Sequence, residues 1–340
     1  MSVRRPRLSD VAALAGVSEK TVSNVLNNYP HVTERTRSKV EAALAELKYR
    51  VNLSARGLAS GRTGFIALAV PGIDNPYFAQ LAGHVIEAAA EHQWTVLIEQ
   101  TGGANSVESQ VIAGATSYFV DGIILHTEAL DAADVLARHE EIPLVLAGER
   151  SLDRVADHVV ADNVSASRDL TQHLLDTGRR RIAVVGIEPS DFTASALRFE
   201  GYLAALRGAG IPPGPVVSVD GYGRNTGAAI VPALLADEPD AVICFNDVLA
   251  SGVLHGLLAA GVDVPRQVAV AGFDAIDETA YTTPPLTSVE WDTQDLARRS
   301  VELLAARAKG GVQPPRKVSV GYRVIVRGST APAPRAPGHR

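Results

Sequence analysis

The sequence predicts an all-α helix-turn-helix head joined to a two-lobed α/β body with parallel, doubly wound sheets. Three observations predict it. Charge is split along the chain: residues 1–62 hold 11 Lys/Arg and 5 Asp/Glu, a balance of +6, while the remaining 278 hold 21 and 33, a balance of −12. Apolar residues recur at helical spacing up to Leu47. Beyond Arg62, short apolar runs alternate with amphipathic helical patterns, and the alternation occurs twice. A chain of 340 residues, 46% apolar and 21% charged, has the length for two or three domains and is not mainly disordered.

Composition excludes several classes. Apolar stretches such as 65–70 and 122–125 are far short of the roughly 20 residues a membrane span needs, and no apolar segment follows the basic N-terminus. A cytoplasmic protein is expected, with no membrane partner. The one cysteine, Cys244, rules out an internal disulfide and Cys-based zinc sites; inside Ala-Val-Ile-Cys-Phe it reads as a buried small hydrophobe. The histidines lack zinc spacing, so neither metal nor cofactor is expected. There is no Gly-x-Gly-x-x-Gly after the first strand, no Gly-x-x-x-x-Gly-Lys and no Gly-x-Ser-x-Gly. Nucleotide-dependent and serine-hydrolase chemistry lack their parts, and no catalytic residue is assigned.

The head reads as a helical trio. Ser9 is suited to cap a first helix with Val11, Ala12, Leu14 and Ala15 as apolar positions, ending at Gly16. Ser18 caps a second helix carrying Val22, Val25 and Leu26, and Thr33 a third carrying Val40, Ala43, Leu44 and Leu47. That is helix-turn-helix spacing. The second helix keeps Glu19, Lys20, Thr21, Ser23, Asn24 and Asn27 outward, short or polar groups able to enter a DNA major groove about 12 Å wide. A basic head on an acidic body fits a polyanion reader on a self-repelling body.

The words Leu8-Ser-Asp-Val-Ala-Ala-Leu-Ala-Gly-Val-Ser, Thr21-Val-Ser-Asn-Val-Leu-Asn and Val32-Thr-Glu-Arg-Thr-Arg resemble the head of the LacI/GalR family of bacterial ligand-responsive transcriptional regulators. The resemblance runs on through Asn52-Leu-Ser-Ala-Arg-Gly-Leu-Ala-Ser, Asp74-Asn-Pro-Tyr-Phe, Asn246-Asp247 and Gly272-Phe-Asp274 to about residue 328. It implies a periplasmic-binding-protein-like body and a homodimer on pseudo-palindromic operator DNA. It also implies base contacts by Glu19, Lys20 and Asn24, with Ser23, Asn27 and His31 nearby. Phosphate positioning falls to Leu8, Ser9, Thr21, Thr33, Thr36, Tyr49 and Asn52. Asn24 stands where many members have Arg, and Glu19 is acidic, so the operator sequence does not carry over. The implied division is a helix-turn-helix domain at 1–51, a hinge helix at 52–62 and a body at 63–328. Within the body the N-lobe takes about 63–161 and 292–321 and the C-lobe about 162–291 and 322–328; residues 329–340, rich in Pro and Ala, form a disordered tail.

Residues 52–60, with Gly57 among them, are too few for a helix in water, where about 12–15 residues are marginal. Paired in a dimer, they present Leu58, flanked by Ala55, as the leucine that the resemblance places as a minor-groove wedge. A plain linker with Leu58 packed on the body is the alternative.

In the body, Phe65-Ile-Ala-Leu-Ala-Val, Thr95-Val-Leu-Ile, Gly122-Ile-Ile-Leu and Pro143-Leu-Val-Leu read as strands, with helices around 78–92, 107–118 and 132–140. A second series begins at Arg181-Ile-Ala-Val-Val-Gly and passes through 216–219, 241–244 and 268–272, with helices near 194–207, 226–235 and 248–260. After the family pattern, the chain crosses between lobes near Asp162, Glu290 and Gly321.

Sheets of this kind bind ligands beyond the carboxyl ends of their strands. The residues there are polar: Asp74, Asn75, His126, Glu149, Arg150, Asn246, Asp247 and Asp274, with Tyr77, Phe78, Phe192, Tyr222 and Trp291 as planar groups suited to the apolar faces of a sugar ring. Arg198 and Asp274 match positions that hold the effector in the resembling family. Bland readings stay open beside these: Asn246 as a helix N-cap, His126 as a satisfied imidazole, Trp291 as interlobe packing, and Asp74-Asn75-Pro76 as a turn into a helix. The expected function is a repressor of carbohydrate-utilisation genes released by a small sugar-like effector. A purine-type corepressor and a sugar-binding protein without DNA function are the alternatives.

Overall fold

The computed structural model describes residues 6–26, 29–49, 62–113, 120–138, 142–148, 152, 154–187, 193–310 and 313–331. The chain divides into two compact units, Met1–Thr63 and Gly64–Arg340.

Among the described residues, the first unit holds α1 (Leu8–Ala15), α2 (Glu19–Leu26) and α3 (Glu34–Glu46). Val11, Ala12, Ala15, Val22, Val25, Val40 and Ala43 form its core. Gly16 ends α1 in the left-handed conformation, φ 67°, which costs glycine nothing and turns the chain into α2. Ser18 caps α2 by accepting from Thr21 N at 3.1 Å, and Thr33 caps α3. The first cap differs from expectation. The helix begins at Leu8, so Ser9 lies inside it, and Asp10 instead accepts from the Arg7 amide at 2.7 Å. Leu14, read as an apolar core position, is 46% exposed, because three small-to-medium side chains of α1 already fill the face toward α2 and α3.

The second unit holds two six-stranded sheets. The first contains β1 (Phe65–Val70), β2 (Thr95–Gln100), β3 (Ile123–His126), β4 (Leu144–Ala147), β5 (Asp157–Ala161) and β11 (Lys317–Val320), in the order β11-β5-β4-β3-β1-β2, all parallel. Between these strands run α4 (Pro76–Glu91), α5 (Asn105–Ile112) and α6 (Ala132–Ala137). The second sheet contains β6 (Ile182–Ile187), β7 (Val216–Ser218), β8 (Ala241–Cys244), β9 (Ala269–Phe273), β10 (Thr287–Trp291) and β12 (Tyr322–Ile325), in the order β12-β10-β9-β8-β6-β7. Only the β10–β12 pair in it is antiparallel. Its helices are α7 (Asn163–Asp176), α8 (Ala194–Ala209), α9 (Arg224–Ala229), α10 (Val231–Ala236) and α11 (Asp247–Ala259), while α12 (Thr293–Ala308) packs back on the first sheet. The chain therefore leaves the first sheet after Ala161, returns after Trp291 and leaves again at Gly321.

The central strands are apolar runs buried on both faces, as a sheet covered by helices requires. The sequence reading assigns no element to β5, α7, β10, α12, β11 or β12, and it differs from the structure elsewhere too. The helix expected over 226–235 is two helices, because Pro232 removes an amide donor and its ring crowds the preceding turn. β5 begins with buried Asp157 and His158, whose partners are distant: Arg307 makes a bidentate pair with Asp157 at 2.8 and 3.0 Å, and His158 Nε2 meets the Gly148 carbonyl at 2.7 Å. The segment expected to be disordered from residue 329 starts with two fully buried residues. Ser329 Oγ donates to Val270 O at 2.6 Å, and Thr330 Oγ1 meets His173 Nε2 at 2.8 Å.

Candidate functional site

In the first unit, burial of Val22 and Val25 turns the other face of α2 outward. Glu19 and Lys20 are exposed there, and Ser23 and Asn24 are half-buried. Thr21 is tied to the cap, its Oγ1 lying 2.8 Å from Ser18 Oγ. His31 is exposed and meets Tyr29 edge-on with ring centroids 5.4 Å apart. Leu8 and Tyr49 pack against the core, Ser9 is exposed in the first turn of α1, and the Thr33 and Thr36 hydroxyls lie 2.9 Å apart at the start of α3. Asn27, Asn52, Ala55 and Leu58 lie outside the described residues.

In the second unit a cavity of about 160 Å³ opens between the lobes, at the carboxyl ends of both sheets. It brings together Tyr77, Phe78, His126, Arg198, Tyr222, Asn246, Asp274 and Trp291. Glu149, Arg150 and Phe192 lie outside the described residues. Asp74 is not brought in. It is exposed, with its carboxylate folded over the turn so that a Cβ on Gly72 would stand 2.7 Å from Oδ1; its neighbour Asn75 lines the cavity instead. Asn75 also caps α4, accepting from Tyr77 N at 3.1 Å, with Pro76 at the first helical position. Asn246 likewise both lines the cavity and caps α11, accepting from Leu249 N at 2.7 Å.

Arg198 is the centre of the arrangement. Its Nε donates to Asn163 Oδ1 at 2.7 Å, one Nη donates to the Phe245 carbonyl, and the other stands 3.9 Å from Asp274 Oδ1, beyond hydrogen-bond length. The guanidinium carbon lies 4.5 Å from the Phe273 ring centroid and 5.5 Å from that of Trp291, so cation–π attraction holds its plane. Asp274 accepts from Trp291 Nε1 at 3.2 Å. Its backbone has φ 104°, an arrangement that costs an L residue about 1–3 kcal/mol. Two ladder-like bonds hold it: Asp274 N to Val289 O at 2.8 Å and Ala275 N to Ser288 Oγ at 3.0 Å.

Two buried carboxyls support the walls. Asp247 accepts from Ser288 Oγ at 2.7 Å and Ile276 N at 3.0 Å; burial, and then the charge of Asp274, pushes its pKa well above the usual carboxylate range. Glu108, fully buried on α5, gathers the chain after β3 by accepting from Thr127 Oγ1 at 2.7 Å and from the amides of Glu128, Ala129 and Leu130 at 2.9, 3.1 and 3.1 Å. This places Thr127 and Glu128 on the cavity wall. His126 stacks edge-on with Phe78, centroids 4.8 Å apart, over Gly148, where a Cβ would come within 2.9 Å of the imidazole. Its Nδ1 is buried without a hydrogen-bond partner among the described residues, and burial pulls its pKa down to about 4.

Sequence reasoning offered Asn75 beside Asp74 at the end of the first strand but missed Asn163, Thr193, Ser195, Thr127 and Glu108. Thr193 carries a signal in hindsight: like Asn75, it caps a helix that starts at a strand's carboxyl end, so a cap there is also a wall. Glu108 is a lone carboxylate on the apolar face formed with Val111 and Ile112.

Residues 7–52 match the family described as bacterial regulatory proteins, lacI family, and residues 171–330 match a periplasmic binding protein-like domain. The ribose operon repressor of Escherichia coli (strain K12) is 34% identical over 307 residues, covering 88% of this chain and 92% of its own. The chain belongs to the LacI family. Among solved structures of LacI-family proteins, a transcriptional regulator CelR–cellobiose complex is 30% identical with a TM-score of 0.69, covering 96% of this chain and 100% of that one. The lac repressor dimer bound to operator and the anti-inducer ONPF is 25% identical with a TM-score of 0.83, covering 96% and 99%. LacI-family membership makes the protein a transcriptional regulator with a helix-turn-helix DNA-binding unit, and not an enzyme. No helix among the described residues is long and apolar enough to cross a membrane.

Proposed function

We propose that the protein is a homodimeric, cytoplasmic repressor of carbohydrate-utilisation genes, released from a pseudo-palindromic operator when a small sugar enters the interlobe cavity. One observation carries the reading: Arg198, Asp274 and Asn246 converge with Tyr77, Phe78, Tyr222 and Trp291 on a single cavity. Donors and acceptors beside flat apolar rings match a sugar ring, which offers hydroxyls at its rim and C–H groups on its faces. The names of the relatives support it, since one represses a ribose operon and another is complexed with cellobiose.

In this reading Glu19, Lys20 and Asn24 address base edges, with Ser23, Asn27 and His31 beside them. Leu8, Ser9, Thr21, Thr33, Thr36, Tyr49 and Asn52 position the backbone, and Ala55 and Leu58 enter the minor groove. The helix-turn-helix domain at 1–51 reads, the hinge at 52–62 couples, and the two-lobed body senses. Homodimerisation is supported by exposed apolar side chains on α4 and edge strand β2, where Ile86, Leu97 and Ile98 are 42–47% exposed. The effector acts by its differential affinity for two lobe arrangements.

Duplexes selected from a randomised pool test the reading, with binding then measured in the presence of ribose, cellobiose and a panel of other sugars. A pseudo-palindromic consensus whose affinity falls with one of these sugars is the expected result. Selection of no sequence, or of a sequence whose binding strengthens only with a nucleobase, contradicts it.

A further inference from the structure

We propose that the interlobe cavity is built for an uncharged polyhydroxy ligand and discriminates against phosphorylated or carboxylated counterparts of the same sugar, through the engagement of Arg198 by Asn163, Phe245 and Asp274. The inference rests on the carbohydrate reading above and narrows it.

A phosphate or carboxylate in a buried site needs a cation whose charge is not already committed. Among the described lining residues Arg198 is the one cation, and it faces two acids, Asp274 and the exposed Glu128. Its own charge is spent locally. Nε is bonded to Asn163, one Nη to the Phe245 carbonyl, and the ring faces of Phe273 and Trp291 cover the guanidinium plane. The remaining Nη stands 3.9 Å from Asp274 Oδ1, and both groups are buried. That gap suits a hydroxyl, which can accept from the guanidinium while donating to the carboxylate. An anionic oxygen can only accept. It would take the guanidinium donor, leave Asp274 facing a like charge, and gain no second cation among the described lining residues.

His126 reinforces the selection. It lines the same cavity with an unpartnered, buried Nδ1, and its ring is flanked by Phe78 and Tyr77. A protonated imidazole would be the natural second cation for an anionic ligand. Burial, with Arg198 acting in the same direction and Glu108 against it, brings the His126 pKa down to about 4, so the ring is neutral near pH 7. A neutral imidazole serves a hydroxyl as donor or acceptor and does not compensate a negative charge.

Calorimetry on the full-length protein tests this with matched probes: D-ribose against ribose 5-phosphate, D-glucose against glucose 6-phosphate and glucuronate, and cellobiose. The free sugar of a binding pair should bind tighter than its anionic partner by roughly tenfold or more. It should do so without proton uptake between pH 6.5 and 8.5 when buffers of different ionisation heat are compared. Asp274→Asn keeps the acceptor for Trp291 and releases the Arg198 charge, so the ratio should shift toward the anionic partner by roughly tenfold. Tighter binding of the phosphorylated or carboxylated partner by the unaltered protein, or proton uptake on binding, overturns the proposal while leaving a carbohydrate sensor intact. Absence of binding by every sugar, free or charged, overturns the carbohydrate reading itself and the proposal with it. A ratio that Asp274→Asn leaves unchanged also overturns it, because the Arg198–Asp274 pair would not be setting the selection.

Discussion

The indole Nε1 of Trp291 donates to Asp274 Oδ1 at 3.2 Å, joining the last residue of β10 to the residue that follows β9. Both line the cavity, and Trp291 is also the last residue before the chain returns to the first lobe. A ligand that touches this pair touches a crossing between lobes. Trp291→Phe keeps an aromatic ring beside Phe273 while removing the donor and part of the indole's buried bulk. It should lower stability by about 1–3 kcal/mol and weaken sugar binding several-fold, both readable by thermal unfolding and calorimetry. An unchanged Tm together with unchanged affinity would mean the bond contributes nothing.

Stability should fall with acidity because of His126. Its folded pKa, about 4, lies below the unfolded value of 6.5. Between these values the unfolded chain takes up a proton that the folded chain refuses, so stability is full above about pH 6.5 and declines as pH falls toward 4. The decline assignable to this ring is about 3 kcal/mol. His126→Asn should remove that part of the slope in denaturant titrations. Parallel slopes for the two proteins would place the ring in contact with solvent.

Asp247 should behave in the opposite sense. Burial beside Asp274 raises its pKa, so above the unfolded value of 3.8 the unfolded chain ionises while the folded chain resists, and stability declines as pH rises toward the folded pKa. Asp247→Asn imitates the protonated acid, able to accept from Ile276 N and donate to Ser288 Oγ. It should be neutral or stabilising at pH 7 to 8, whereas Asp247→Ala should cost about 2–3 kcal/mol by stranding two donors. A lower Tm for the Asn variant than for the Ala variant contradicts the assignment.

Glu108 gathers four donors into one loop, and Glu108→Ala leaves those donors buried and unmade. A loss of about 3–5 kcal/mol is expected, with faster amide exchange at 128–130. Exchange unchanged at those amides would show that the loop holds itself.

These carboxyls also show where the sequence was legible and where it was not. The apolar runs of β1, β3 and β8 announce themselves because both faces of each strand are buried. β5 does not, since its first two residues are a carboxylate and an imidazole whose partners, Arg307 and the Gly148 carbonyl, arrive only on folding. Ser329 and Thr330 belong to a Pro- and Ala-rich tail by composition, yet their hydroxyls close onto Val270, Thr287 and His173. In the cavity, the rule that ligands sit beyond strand ends picked out Asn246 and Asp274, whereas Arg198, inside α8, rests on the family resemblance. The rule could not choose between Asp74 and Asn75, because one residue of turn geometry decides which side chain faces inward. The cap at Ser18 follows from local chemistry, whereas that at Ser9 fails because Asp10, three residues on from Arg7, reaches back to its amide first.

The central claim is that occupancy of the cavity sets the grip on DNA. The most direct measurement is the affinity of the full-length protein for its selected operator, with and without saturating sugar, for the unaltered chain and for Asp274→Ala. Binding should be lost steeply as salt rises, as expected for a basic head, and sugar should release the unaltered protein. Asp274→Ala should show undiminished operator affinity with no response to sugar. A variant that still releases its operator at the same sugar concentration would contradict the claim.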